Sequence, residues 1–142
     1  MTNVLRDLLQ GENPSVPIAE LIGFDVTSIQ PGRAVVEMEA DGRHANPMGT
    51  LHGGVLCDIA DAAMGLAFAA TLSEGESFTT LELKINFLRP VWNGTLQAIG
   101  TVVKGGRTVG YTECDISDDK GRLVARASST CMVLRGDAVA GR

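Results

Sequence analysis

The sequence contains few cysteines, and their spacing excludes two common kinds of site. Cys57, Cys114 and Cys131 are an odd number, and no C-x-x-C spacing occurs. This pattern is neither that of a disulfide framework nor that of a zinc site. We therefore expect the three side chains to be small hydrophobic core residues. The same pattern makes a reducing cytoplasm the expected compartment.

Positive charge is also scarce. Twelve Lys and Arg residues are outnumbered by 17 Asp and Glu residues, so the formal net charge is −5. This balance gives no electrostatic support to nucleic-acid binding. It also disfavours an anionic ligand, unless basic side chains are clustered locally.

The sequence has no long apolar run without charge. Its longest apolar segment, residues 55–72, is interrupted by Asp58 and Asp61, so we expect no membrane span. The first 15 residues lack a basic start and a long apolar stretch, so we expect no signal peptide. The length of 142 residues, with 44% hydrophobic and 20% charged residues, instead indicates a single globular domain with its own core.

Two short helices are predicted near the N-terminus. The segment "VLRDLL" has its apolar residues at helical spacing. In "SVPIAELIG", Ser15 is a candidate cap, Pro17 suits the first turn and Gly23 suits the end of a helix. We assign residues 1–22 as an N-terminal helical segment and expect residues 135–142, which show no pattern, to be a loose tail.

The rest of the chain predicts one strand, one long helix and four further strands. A Val-rich strand, "GRAVVEMEAD", and a loop, "GRHANPMGTLHGG", precede a helix that should extend to about Leu72. After the turn "SEGES" the period changes to two, and Pro90 ends that strand. The last three strands are "LQAIGTVVK", "TVGYTECDIS" and "RLVARASSTCMVL".

These elements predict an α+β fold with one sheet and one covering helix. Short turns between the last strands favour antiparallel pairing. A single long helix is available to cover a sheet face. Because this helix is apolar almost all round, we expect a curved sheet to wrap one side of it and a loop or another subunit to cover the rest. We therefore expect the protein to be an obligate oligomer.

Two carboxylates interrupt the apolar helix. Asp58 lies near its start, where the helix dipole favours negative charge by up to about 1 kcal/mol. Asp61 lies one turn further, among apolar or small neighbours, where that effect has faded. Burying an unpaired carboxylate costs several kcal/mol. Asp61 is therefore solvent-facing, a structural hydrogen-bonding residue, or a functional group with a perturbed pKa.

The start of the helix offers candidate oxyanion donors. Gly53 and Gly54 carry backbone N–H groups that lack intrahelical partners, and without side chains they can be approached closely by a ligand oxygen. Simpler explanations exist for each residue in this region. The glycines can merely make the turn, His52 can cap the helix or order the loop, and Asn46 can form an Asx turn with its own backbone.

The spacing of these groups predicts a shared site. Gly54 and Asp61 are nearly two turns apart on one helix face, about 10 Å along the axis. Reacting atoms must approach to within about 3–3.5 Å. Both groups can therefore act on one small carbonyl only if they come from two copies of the chain, with two antiparallel helices side by side.

The motif "N-x-x-G-x-x-H-G-G" from Asn46 to Gly54, followed by Asp61, resembles the signature of hotdog-fold acyl-CoA thioesterases of the phenylacetic-acid-degradation (PaaI) group. The segments "FLRP", "KGGRT" and "DDKGRLVARASSTCMVL" are similar as well, so the likeness covers about residues 20–134. It implies a single hotdog domain over residues 1–142, with a curved antiparallel sheet wrapped around a long central helix. It also implies a homotetramer built as a dimer of dimers.

The resemblance implies roles for five catalytic-site residues. Asp61 corresponds to the carboxylate that acts as nucleophile or general base toward the thioester. The backbone N–H of Gly53 corresponds to the donor that polarises the carbonyl. Asn46 helps to place the carbonyl or the attacking water, His52 orders the site, and Thr80 lies near the carboxylate and holds water.

The resemblance also implies where coenzyme A binds. Its nucleotide end is expected near Arg89, Lys104 and Arg107, with Gly54 and Gly106 as further contacts. The implied reaction is hydrolysis of an acyl- or aryl-CoA thioester, which needs carbonyl polarisation and an attacking oxygen. We expect no metal, because a thioester needs none to hydrolyse, and no separate cofactor, because coenzyme A is part of the substrate. We also expect no nucleic-acid or membrane partner.

Two alternatives remain at this point. One is a non-catalytic acyl-CoA binding protein. The other is an acyl-thioester dehydratase, which needs a histidine paired with a carboxylate, whereas this chain has only His44 and His52, both ahead of the helix. Release of free thiol from acyl-CoA distinguishes a thioesterase from both.

Overall fold

The computed structural model describes residues 2–141 as one antiparallel sheet wrapped around a long helix. The six strands are arranged in the order β1-β2-β4-β5-β6-β3. The predicted α+β class, with a curved antiparallel sheet around a central helix, is confirmed. The elements in chain order are α1 (Asn3–Leu9), α2 (Pro17–Ile22), β1 (Phe24–Gln30), β2 (Arg33–Ala40), α3 (Gly53–Ala69), β3 (Ser77–Phe87), β4 (Gly94–Lys104), β5 (Val109–Asp118) and β6 (Leu123–Leu134).

Short 3₁₀ turns occupy Gly42–His44 and Gly136–Val139. The second lies in the segment that was expected to be a patternless tail. No helix within residues 2–141 is both long enough and apolar enough to cross a membrane.

The strand β1 was not predicted from the sequence. It forms an edge of the sheet, and β2 is the one strand within residues 2–141 with which it pairs. A bulge between Val26 and Ser28 breaks the register. Because a bulge inserts an extra residue, it interrupts the two-residue alternation on which strand prediction depends.

The helix α3 ends at Ala69, three residues before the predicted end. After Ala69 the backbone tightens, because the N–H groups of Thr71 and Leu72 donate to carbonyls three residues earlier. The hydroxyl of Thr71 also donates to the carbonyl of Phe68 at 2.7 Å. Such i to i−3 bonds are typical of a terminating helix turn.

The two predicted N-terminal helices are confirmed, with one correction. Pro17 occupies the first turn of α2, and Gly23 ends it in the left-handed region with φ of +88°. The prediction that Ser15 caps this helix is wrong. Val16 holds that position without a side-chain hydrogen bond, and the Ser15 hydroxyl instead donates to the carboxylate of Glu20 at 2.6 Å.

The helix α3 packs directly on the inner face of the sheet. Gly100 of β4 makes this possible, because a Cβ at that position would lie 2.4 Å from the backbone carbonyl of Ala63. The buried side of α3 is almost wholly apolar, and its fully buried members include Ile59, Ala63 and Met64. One stripe of the helix, with Gly54, Asp58, Asp61 and Ala62, is not buried.

The cysteines agree in part with expectation. Cys114 and Cys131 are buried in strands and belong to the apolar core, as predicted. Cys57 is only half-buried on α3. All three are free thiols.

Replacing Gly100 with alanine should destabilise the protein by about 3 kcal/mol, because the new methyl group would meet helix backbone that cannot move aside. Urea unfolding followed by circular dichroism measures this change. Gly105→Ala is the matched control, since the nearest atom to a Cβ there is a side-chain methyl at 4.0 Å. Equal stability of the two variants would contradict the close helix–sheet contact.

Candidate active site

His52 caps the start of α3. Its Nδ1 accepts a hydrogen bond from the backbone N–H of Gly54 at 2.9 Å, so the capping role is confirmed. A Cβ on Gly54 would lie 2.9 Å from this same ring nitrogen, which explains why the second glycine is needed. The Gly54 N–H is therefore already bonded, and the predicted contact of Gly54 with coenzyme A stays a prediction.

Gly53 provides the remaining donor. As the first residue of α3 it has no intrahelical partner, and its N–H has no acceptor within residues 2–141. A Cβ on Gly53 would lie 2.7 Å from the tip of the Phe87 ring. The glycine thus allows this ring to pack against the helix start. Of the two predicted oxyanion donors, only that of Gly53 is available.

Asn46 organises the loop before the helix. Its Oδ1 accepts from the backbone N–H groups of Met48 at 2.9 Å and Thr50 at 3.2 Å. Its Nδ2 donates to the Thr50 hydroxyl at 2.9 Å. The Asx-turn explanation is therefore correct. Since the amide group carries two hydrogens, one remains for a ligand.

Asp61 and Thr80 are brought together, as predicted. The Thr80 hydroxyl donates to Oδ1 of Asp61 at 3.4 Å, which is long for a hydrogen bond. A bulge in β3 between Thr80 and Glu82 shifts the strand's register against β6. Bulges often re-aim side chains next to active sites, and this one lies directly after the residue that faces the carboxylate.

The surroundings of Asp61 oppose its negative charge. Removal from water raises the pKa of Asp61, the hydrogen bond from Thr80 lowers it, and the nearby charge of Asp58 raises it further, with a net rise. The residue remains exposed in the isolated chain, but its carboxyl borders a largely apolar cavity. A carboxylate in such a place is a stronger base than an ordinary aspartate.

Asp58 does not behave as the dipole argument predicted. It lies six residues beyond the His52 cap, and the first turn of α3 contains no acidic residue. Burial raises the pKa of Asp58, so its charge is opposed and not favoured. The dipole effect is confined to the first turn, which explains the difference.

Within one chain, Gly53 and Asp61 face different cavities. Eight residues of helix separate them, about 12 Å along the axis. Gly53 and Asn46 line a cavity of about 360 Å³ together with Arg89. Asp61 and Thr80 line another of about 250 Å³. No single thioester can reach both groups of the same chain.

Arg89, Lys104 and Arg107 are all exposed and form no ion pair with a carboxylate within residues 2–141. Four other arginines do form such pairs: Arg43, Arg122, Arg126 and Arg135. These three basic side chains are therefore available to an anionic ligand.

The three basic residues do not converge within one chain. The N–H of Arg89 bonds to the carbonyl of Val124 at the start of β6, whereas the carbonyl of Thr108, next to Arg107, accepts from Val133 near the end of β6. Nine strand residues separate these points, about 30 Å. Gly106 has a structural explanation, because a Cβ there would lie 2.4 Å from the carbonyl oxygen of Val109.

His44 has a structural role. Its buried ring donates from Nε2 to the carbonyl of Ile22 at 2.7 Å and accepts at Nδ1 from the N–H of Asp41 at 3.1 Å. The ring thus ties the loop to the end of α2. Within residues 2–141, no group of three or more His, Cys, Asp and Glu side chains is arranged to hold a metal ion.

Sequence reasoning missed the N-terminal wall of the site. Leu8, Val16 and Ala19 from α1 and the α2 region line the cavity that contains Asp61. These residues were assigned only to short helices, and nothing in their spacing specifies which cavity they enclose. Ile18 of α2 lines the same cavity and is 48% exposed, which only the structure reveals.

Comparisons with known proteins identify the family of this chain. A model of the thioesterase superfamily matches residues 48–125. The chain belongs to this superfamily. Its fold is therefore the predicted hotdog fold, and its enzyme class is thioester hydrolase.

Individual relatives are similar over most of their length. Human acyl-coenzyme A thioesterase 13 is 26% identical over 133 residues, which cover 92% of this chain and 94% of that protein. The 1,4-dihydroxy-2-naphthoyl-CoA hydrolase of Listeria monocytogenes is 28% identical over 116 residues, 82% and 94% of the two chains. The solved PaaI protein from the phenylacetic acid degradation operon of E. coli has a TM-score of 0.79 at 28% identity, covering 86% and 87%.

Asp61→Asn should stabilise the folded protein at pH 7. The pKa of Asp61 is raised by folding, so the protonated form favours the folded state and ionisation opposes it. Asparagine removes this ionisation. The gain in melting temperature should therefore shrink as the pH falls through the raised pKa, and disappear below the ordinary value of 3.8.

Thermal unfolding at pH 7 and at pH 3.5 measures the effect. Asp119→Asn, which removes an exposed carboxylate in the β5–β6 turn, is the control and should change little at either pH. A lower melting temperature for Asp61→Asn at pH 7, or a gain that does not depend on pH, would contradict the apolar surroundings of this carboxyl.

Proposed function

We propose that the protein hydrolyses acyl-CoA thioesters at a site shared by two subunits, with Asp61 from one subunit and the Gly53 N–H from the other. The observation that carries this proposal is the separation of the two groups. Each has a cavity of its own, and they lie about 12 Å apart along the axis of one helix. The CoA esters named for the human and Listeria relatives support this substrate class.

The edge of β3 supplies a surface for the second subunit. β3 is 11 residues long and is the other edge strand of the sheet, with β6 as its only neighbouring strand within residues 2–141. Leu81 and Phe87 on this strand are 54% and 56% exposed. An unpaired edge with exposed apolar residues favours pairing with another strand.

A two-fold axis at this edge would complete the site. α3 runs antiparallel to β3, because Gly53 lies beside Phe87, and Gly65 beside Phe78. Antiparallel pairing of two β3 strands would therefore place the unburied stripes of two α3 helices side by side and antiparallel. The start of each helix would then approach Asp61 of the other. The dimer-of-dimers tetramer stays a prediction.

In this arrangement each group has a defined task. The partner subunit's Gly53 donates its N–H to the carbonyl oxygen and stabilises the negative charge that forms there. Asp61 supplies the attacking oxygen, either by removing a proton from water or with its own carboxylate. The carbon–sulfur bond then breaks. If water attacks, the thiolate of coenzyme A takes the proton that Asp61 removed from it. If the carboxylate attacks, water then hydrolyses the mixed anhydride on Asp61, and the thiolate takes up a proton from that water. His52 fixes the helix start, and Thr80 holds the Asp61 carboxyl.

The same symmetry would assemble the basic residues. Arg89 lines the cavity of Gly53, whereas Lys104 and Arg107 lie toward the end of the sheet that holds Thr80. Bringing the partner subunit's Gly53 to Asp61 therefore brings the partner's Arg89 to the same end as Lys104 and Arg107. Three cations from two subunits can then surround the phosphates of one coenzyme A.

A dehydratase is less well supported. That chemistry needs a histidine paired with a carboxylate at the reacting carbon. His44 is committed to the Ile22 carbonyl and the Asp41 N–H, and Nδ1 of His52 accepts from Gly54. A binding protein without activity would release no free thiol.

Subunit exchange tests the shared site. Asp61→Asn should reduce kcat by at least about 100-fold, the usual loss for a general base, and Gly53→Val should do the same by blocking the oxyanion position. Mixing the two variants should restore activity, because one of the two sites in a heterodimer has both groups intact. Thiol release after exchange, with heterodimers verified by mass spectrometry, measures the recovery.

Asp58→Asn is the matched control for the first variant. It makes the same chemical change one turn earlier on the same helix and should keep most activity. Circular dichroism must show that Gly53→Val folds, and native mass spectrometry must show that it still assembles, since the Phe87 ring that it meets is exposed in the single chain but lies on the proposed pairing edge. Verified heterodimers as inactive as their parents would contradict a site formed by two chains.

Arg107→Ala should raise KM for an acyl-CoA about tenfold, as expected for losing one charge-assisted contact. The same acyl group on pantetheine lacks the nucleotide phosphates, so its KM should change little. Steady-state kinetics on both thioesters measure the difference, and Arg107→Lys, which keeps the charge, should stay close to the parent. Equal changes on the two substrates would argue against a phosphate contact.

A further inference from the structure

The cavity beside Asp61 has a composition that specifies an acyl group. We propose that it binds the acyl part of the substrate, that it selects an apolar group of roughly eight carbons without hydroxyl substituents, and that Leu5 and Leu8 of α1 set the length limit. This inference rests on the proposed thioester hydrolysis and assigns the substrate class of that same site.

The lining of the cavity is almost entirely apolar. Asp61 and Thr80 are its only polar side chains, and they are bonded to each other. The remaining lining residues are apolar side chains and one glycine, and they include Leu8, Val16, Ala19, Phe24, Leu66 and Phe78. Such a lining favours hydrocarbon over water.

The two leucines of α1 line the part of the cavity next to Leu66. Leu5 and Leu8 pack against a core cluster that contains Leu66. Leu66 lies five residues beyond Asp61 on α3, about 7 Å along the axis. An acyl chain whose carbonyl is held at Asp61 would therefore extend along α3 and meet α1 at its far end.

The volume limits what fits. The cavity holds about 250 Å³. An apolar cavity of about 150 Å³ is sufficient for benzene. The additional volume encloses a phenyl ring with its methylene linker, or a straight chain of roughly eight carbons, whereas a hexadecanoyl chain would extend beyond the cavity.

The lack of polar side chains at the α1 end of the cavity disfavours acyl groups that carry hydroxyls. No side chain at the α1 end can donate or accept a hydrogen bond, since Leu5, Leu8, Val16, Ile18 and Ala19 line it. Burying a hydroxyl without a partner costs about 1–3 kcal/mol. Hydroxylated aryl groups, such as the dihydroxynaphthoyl group in the name of the Listeria relative, should therefore be poor substrates.

The helix α1 can be altered without damage to the core. None of its residues is fully buried, and Leu5 and Leu8 are only half-buried. Substitutions at Leu8 therefore test the length limit in both directions. Leu8→Ala lengthens the cavity, and Leu8→Phe shortens it.

Thiol release from a panel of acyl-CoAs provides the test. For the parent protein, kcat/KM should be at least tenfold higher with phenylacetyl-CoA than with 4-hydroxyphenylacetyl-CoA, and higher with octanoyl-CoA than with butyryl- or hexadecanoyl-CoA. Leu8→Ala should raise the ratio of dodecanoyl- to octanoyl-CoA at least fivefold. Leu8→Phe should lower octanoyl-CoA turnover more than butyryl-CoA turnover, so that the ratio of octanoyl- to butyryl-CoA falls at least fivefold.

Leu9→Ala is the matched control, because Leu9 is the adjacent leucine of α1 and does not line this cavity. It should keep the parent's chain-length profile, and melting temperatures should show that all three variants are folded. Equal turnover of the hydroxylated and unhydroxylated aryl substrates, or a Leu8→Ala profile equal to that of the parent, would overturn the inference even while hydrolysis continues.

Binding separates this inference from the proposed function. Asp61→Asn protein can be titrated with octanoyl-CoA, butyryl-CoA and coenzyme A in a calorimeter. If the parent hydrolyses no acyl-CoA, the proposed function fails, but tighter binding of octanoyl-CoA that weakens with Leu8→Phe still supports the cavity assignment. If all three ligands bind equally, the cavity assignment fails whether or not hydrolysis occurs.

Discussion

The contact between α3 and β4 determines the rest of the molecule. At Gly100 the helix backbone lies so close to the strand that no side chain fits between them. This contact fixes how far the helix sinks into the sheet and which of its sides faces inward. Large side chains such as Ile59 and Met64 then fill the spaces beside the contact. The opposite stripe, which carries Asp61, is left uncovered as a direct result.

On that uncovered stripe, the surroundings of Asp61 disfavour its negative charge. Asp61 borders an apolar cavity, and both the loss of water and the nearby charge of Asp58 disfavour its ionised form. Only the long hydrogen bond from Thr80 acts in the opposite direction. A protein selected for stability alone would place a neutral residue here. Retention of the carboxylate is understandable if its basicity serves a reaction.

The sequence was sufficient to predict the helix start and the position of its carboxylate. The Asx turn at Asn46, the cap at His52 and the donor at Gly53 are local features, so their residue types and spacing contain the information. The distance between Gly53 and Asp61 followed from helix geometry alone. These are the parts of a site that one continuous segment specifies.

Other features depend on contacts between distant segments and were not predictable. The strand β1 was not predicted because a bulge breaks the two-residue alternation of its side chains. The wall formed by Leu5 and Leu8 is invisible in the sequence, since only the fold brings α1 to Leu66. The separation of Arg89 from Arg107 likewise follows from strand order. The prediction for Asp58 was wrong although the helix starts where expected, because the dipole effect is confined to the first turn and Asp58 lies beyond it.

The strand order also has a consequence for folding. β3 directly follows α3 in the chain, yet its only hydrogen-bonded neighbour is β6, which begins at Leu123. Thr80 pairs with Cys131, 51 residues further on, so it cannot be fixed against Asp61 until the last strand is in place. Contacts between such distant residues form slowly, because a long loop must close first. We therefore expect the surroundings of Asp61 to assemble late in folding, and a partly synthesised chain without β6 to lack the strand that positions Thr80.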